Sequence, residues 1–150
     1  MTRISITDFT QKMNQIMPEI MKGFMRRQNN DVCQGKITFP QLMVLEQLSR
    51  QGASKMTDLA KFMRASTAAA TGIVQRLVIL GYVQREYDPA DRRIVKINLT
   101  SKGAGILKKI NHQRTESVTK IFGQISEEDR GEYLRILMQV KDILDKEESH

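Results

Sequence analysis

What this chain has least of narrows it first. It holds a single cysteine, Cys33, and two histidines, His112 and His150. One cysteine excludes an intrachain disulfide. One thiol with no histidine pair at ligand spacing leaves no set for a structural metal site. No apolar run approaches the roughly 20 residues that span a bilayer. The opening Met1-Thr2-Arg3-Ile4-Ser5 lacks the apolar core of a signal peptide. A cytoplasmic protein with no membrane role is therefore expected. No Ser/His/Asp set, glycine-rich phosphate loop or metal-binding helix motif occurs, so neither an enzyme nor a cofactor is expected.

What is present is positive charge, unevenly spread. The 150 residues carry a formal net charge of +7. They are enough for one domain, or two small helical lobes, with a core that needs no disulfides. Between Ala53 and Lys102 there are nine Lys/Arg and four acids, so five of the seven net charges fall in the middle third. Total charge alone says little about partners, but a local excess on one unit is what phosphate contact requires.

Apolar periodicity lays out the helices. Phe9, Met13, Ile16, Met17, Ile20, Met21 and Phe24 recur at spacings of three and four, which puts them on one helical face. Pro18 lies inside that pattern and implies either a kink or a late start. The row Met13, Met17, Met21, Met25 reads as core or subunit interface, or as a soft ligand-contacting surface. After a polar, turn-prone stretch to Gly35, Thr38 and Gln41 form a capping box, with Pro40 tolerated in the first turn. Gly52 closes that helix. Beyond Ser101, apolar residues at helical spacing run to Ile125. Ser126 with Asp129 then opens a last helix through Leu144.

The middle of the chain is the most specific part. Thr57 to Met63 is a short helix, and the chain turns at Arg64-Ala65. Ser66 caps a second helix that stops at Gly81, with Ile73, Leu77 and Leu80 as its expected inner face and Val74 and Val78 at the flanks. Its first two turns, Ser66-Thr67-Ala68-Ala69-Ala70-Thr71-Gly72, are small and partly polar, so its backbone can approach another surface closely. Tyr82–Tyr87 and Ile94–Leu99 alternate as strands do, around the turn Asp88-Pro89-Ala90-Asp91-Arg92-Arg93. Two helices and a hairpin with an arginine-tipped turn read as a winged helix-turn-helix. The expected fold is mainly α: a winged helix-turn-helix DNA-binding domain with a small β-wing over residues 37–103, and a helical dimerisation region from residues 1–36 and 104–150.

From Asp88 to Gly103 the chain resembles the MarR family of bacterial transcription regulators. An Asp-x-Arg turn (Asp91, Arg93) is followed by a strand and then Leu99-Thr100-Ser101-Lys102-Gly103, opening a long helix. Leu59-Ala60, Val74-Gln75-Arg76-Leu77 and Leu80-Gly81-Tyr82-Val83-Gln84-Arg85 fit the same pattern. The resemblance implies a homodimer on a palindromic operator in double-stranded DNA, most often a repressor, with a small-molecule effector. It implies a recognition helix in the major groove, with Ser66, Thr67, Ala68 and Thr71 nearest the bases and Gln75 one turn farther. It assigns Arg93 to the minor groove, Arg92 to a phosphate, and Asp91 to bracing the wing, with Arg76 as its partner. No Arg or Lys precedes Arg76 in that helix, so affinity is expected from phosphates and wing, and specificity partly from DNA shape. Two alternatives stay open: a redox-responsive regulator using Cys33, and a winged helix that docks proteins.

Overall fold

The computed structural model describes residues 3–27 and 36–149. In chain order the elements are α1 (Ile6–Arg27), α2 (Phe39–Gln51), β1 (Ser54–Lys55), α3 (Met56–Met63), α4 (Thr67–Ile79), β2 (Val83–Tyr87), β3 (Val95–Leu99), α5 (Ser101–Phe122) and α6 (Glu127–Glu148). The protein is mainly helical, with one antiparallel sheet in the order β1-β3-β2. It divides into two compact units, Met1–Gln113 and Arg114–His150. Among the described residues no helix is long and apolar enough to cross a membrane.

The core of the first unit forms where each helix turns one face inward. Leu42, Val44, Leu45 and Leu48 of α2 pack with Leu59 of α3, Val74 and Leu77 of α4, Val83 and Ile97 of the hairpin, and Leu107 and Ile110 of α5. Burying a side chain of this size stabilises by about 1.5–3 kcal/mol. Caps set the helix limits. The Thr38 hydroxyl accepts from the Gln41 N–H at 3.3 Å and the Gln41 side chain accepts from the Thr38 N–H at 3.1 Å, completing the capping box. Gly81, at φ 80°, ends α4: the Tyr82 N–H donates to the Leu77 carbonyl and the Gly81 N–H to that of Val78, each at 3.0 Å. That crossed pair needs a left-handed residue between the two donors, and glycine supplies it without strain.

Three features depart from the sequence reading. β1 is new: two residues show no alternation, and the strand exists because Ser54 and Lys55 pair with Ile97 and Lys96. The inner face of α4 is Ala70, Val74 and Leu77, with Ile73 and Leu80 only half-buried. Ala70 therefore belongs to the core rather than to the open small-residue surface, because it precedes Val74 by four and Leu77 by seven and so shares their face. Lastly, α1 begins at Ile6 and runs through Pro18, so the proline does not mark a late start.

Neither α1 nor α6 buries a residue. α1 exposes Phe9, Ile16, Ile20 and Met21, and α6 exposes Leu134, Leu137, Val140 and Leu144. Within the second unit, Ser126 caps α6, Phe122 stacks on Tyr133 with ring centroids 5.4 Å apart, and the Arg130 guanidinium donates to the Phe122 carbonyl at 3.2 Å.

Candidate nucleic-acid interface

The first turns of α4 are held open by their own chemistry. Ser66 accepts from the Ala69 N–H at 3.1 Å, which satisfies one of the helix's free donors. The Thr71 hydroxyl donates to the Thr67 carbonyl at 2.7 Å, so its oxygen is left as an acceptor toward solvent. Ser66, Thr67, Ala68, Thr71, Gly72 and Gln75 are all exposed. A Cβ added at Gly72 would meet nothing within 4 Å. This is a smooth, neutral helix surface.

The wing is an ordered turn. Asp88 accepts from the Ala90 N–H at 2.8 Å, and Asp91 from the Arg93 N–H at 3.0 Å. These are the local side-chain turns that aspartates favour. The Ile94 N–H donates to the Asp91 carbonyl, and the Asp88 N–H to that of Ile94, closing the hairpin. Asp91 also grips the Arg93 guanidinium at 3.1 Å, yet the Arg93 side chain stays 91% exposed. Arg92 is exposed beside it. The Arg93 guanidinium, and next its backbone N–H, hold the Asp91 carboxyl below the usual aspartate range. Asp88 is lowered chiefly by the Ala90 N–H, with the Asp91 N–H and Lys96 adding to it, against desolvation. Lys96 lies 3.7 Å from Asp88.

A tight joint fastens α4 to the start of α5. The Thr100 hydroxyl donates to the Gly81 carbonyl at 2.6 Å and accepts from the Gly103 N–H at 3.1 Å. The Lys102 ammonium donates to the Leu80 carbonyl at 2.8 Å and lies 5.2 Å from the Tyr82 ring centroid. A Cβ on Gly103 would fall 2.0 Å from the Tyr82 carbonyl oxygen. The spacing Leu99-Thr100-x-x-Gly103 thus has a local reason: threonine caps one helix and bonds the end of another, and glycine admits a backbone.

The expected pairing of Asp91 with Arg76 is not made. Asp91 clasps Arg93, because a carboxylate two residues upstream in a tight turn is delivered to that residue's N–H and side chain. Arg76 sits on the exposed face of α4, and no carboxylate among the described residues engages it. One residue was missed: Arg85, whose guanidinium donates to the Gln75 side-chain oxygen at 2.6 Å. Its signal was the two-residue period of β2, which puts Arg85 on the same side as buried Val83. Cys33, with the redox reading built on it, and His150 lie outside the described residues.

A short helix pair, an exposed second helix and a hairpin tipped with exposed arginines define a winged helix-turn-helix DNA-binding protein. The MarR family model matches residues 37–95, and the chain belongs to the MarR family, whose members are transcriptional regulators and not enzymes. The HTH-type transcriptional repressor NicR of Pseudomonas putida is 27% identical over 142 residues, covering 95% of this chain and 88% of that protein. A MepR-like protein crystallised with pseudoligands is 30% identical, with a TM-score of 0.56 over 89% of this chain and 94% of its own. A MarR family protein from Bacillus stearothermophilus, 20% identical, shares the fold with a TM-score of 0.75, covering 95% of this chain and 99% of that one.

Proposed function

We propose that this MarR-family regulator is a homodimeric repressor that holds a palindromic operator and releases it when a small ligand binds. Residues 37–103 are the DNA-binding part, and residues 1–36 with 104–150 the dimerisation part. In this reading α4 lies in the major groove, with Ser66, Thr67, Ala68 and Thr71 nearest the bases and Gln75 beyond them. Arg93 enters the minor groove and Arg92 meets a phosphate. The observation that carries the reading is Arg93, almost wholly exposed yet aimed by Asp91, on a wing tethered beside the open face of α4. The apolar faces of α1 and α6 support a second copy as partner, since faces of that size usually mark an interface.

Ligand release needs a ligand that distinguishes the two spacings of the reading heads; equal affinity for both would shift nothing. The MepR-like relative was crystallised with pseudoligands, which favours such a site in the family's architecture. The neutral face of α4 favours a second reading, in which the winged helix docks a protein. Selection of bound genomic DNA by the purified protein, repeated over a salt series, separates the two. An inverted repeat with half-site centres about 34–36 Å apart, and affinity falling steeply with salt, is expected. Selection of no palindrome, or salt-insensitive binding, would overturn the repressor reading.

A further inference from the structure

Gln75 and Arg85 stand ten positions apart on different elements, and their side chains meet at 2.6 Å. Both are exposed, and Gln75 follows exposed Thr71 by four positions, on the same face of α4. Arginine has donors and no acceptor, so only the amide oxygen of Gln75 can face it. The orientation of this amide is thus dictated by its partner. Its NH2 group, with two donors, is the part left free.

We infer that Arg85 determines which bases Gln75 reads, by holding its amide so that the pair offers donors alone to the major groove. The inference rests on α4 occupying that groove, as proposed above. An unrestrained glutamine is suited to adenine, donating to N7 while accepting from N6. With Arg85 in place the accepting half is engaged. The second lone pair of the oxygen lies beside a guanidinium whose charge repels the amino hydrogens of adenine and cytosine. The keto bases have no such hydrogens: guanine presents O6 and N7, and thymine presents O4, all acceptors. Arg85 is a positioning residue here. Its effect appears as a change in base identity at one position per half-site, not as a uniform loss of affinity. It supplies the recognition helix with a base preference although no Arg or Lys precedes Arg76 there.

Selection of binding sites from a random DNA pool tests this with the full-length wild-type protein, Arg85→Met, Arg85→Lys and Gln75→Ala. The wild type should enrich guanine or thymine at one symmetric position, and Gln75→Ala should flatten that position. Arg85→Met should raise adenine there by about tenfold relative to the keto bases, near the lower range of one bidentate contact. Arg85→Lys, which keeps a donor, should retain the keto preference. Should Arg85→Met fold poorly, Gln75→Glu carries the test without touching β2: it exposes an acceptor and should move the preference to cytosine or adenine. An enriched motif whose identity at that position is the same in wild type and in either of these variants overturns the inference alone. A motif unaffected by Gln75→Ala also overturns it. If the wild type enriches no sequence, the DNA-reading proposal fails and this inference with it.

Discussion

Gly103 and Gly72 show how one missing side chain carries opposite meanings. At Gly103 a Cβ would fall 2.0 Å from the Tyr82 backbone oxygen, a group that cannot rotate away. Gly103→Ala should therefore cost about 2–3 kcal/mol of stability, as overpacking typically does, measured by urea unfolding. At Gly72 nothing lies within 4 Å, and the residue sits inside α4. Gly72→Ala should stabilise the DNA-free protein by about 1 kcal/mol in the same assay, the usual helix-propensity gain. Arg93 belongs to this scale too. Its exposed guanidinium can reach a phosphate-lined groove, so Arg93→Ala should weaken binding to most sequences and lower the salt slope by about one unit. An unchanged slope would remove Arg93 from the interface.

The wing is the element where charge and shape act together. Two aspartates build its turn, and both are lowered by the hydrogen bonds they accept. A carboxylate lowered in the folded turn stabilises that turn fully above its unfolded pKa, and the contribution fades as pH falls through the lower folded value. The wing should be intact at neutral pH and loosen below about pH 4. Amide NMR shifts of Ala90 and Arg93 followed against pH should show this, and Asp91→Asn should abolish the titration seen at Arg93. A midpoint at the ordinary aspartate value would show that Asp91 is not held. Much of this element was legible beforehand, because Asp, Pro and Arg act on neighbours two to four residues away. The helices were legible for the same reason: the caps at Thr38, Ser66 and Ser126 are local. β1 was not, since its only cause is a pairing with β3, distant in the chain.

For the whole molecule the exposed apolar faces of α1 and α6 matter most. Each keeps its apolar residues exposed in the isolated chain. A second copy should cover them, so sedimentation equilibrium should give the mass of two chains. Leu137→Arg should shift the protein toward monomer and weaken binding to a full palindrome more than to a half-site; a dimer of unchanged stability would take the Leu137 face of α6 out of the interface. The sequence by itself determined the helical layout, the caps, the wing turn and its arginines, because each depends on residue spacing within a turn or two of chain, and the family resemblance, because short motifs from Leu59 to Gly103 follow in a fixed order. The tertiary structure alone decided which face of α4 is core, and with it that Ala70 is buried, and that Gln75 is held by Arg85. It also decided that Thr100 and Lys102 bond Gly81 and Leu80, 19 and 22 positions back along the chain. A contact across such separations, or the choice of which helix face is buried, follows from which surfaces the packed core brings together, and no local pattern encodes that.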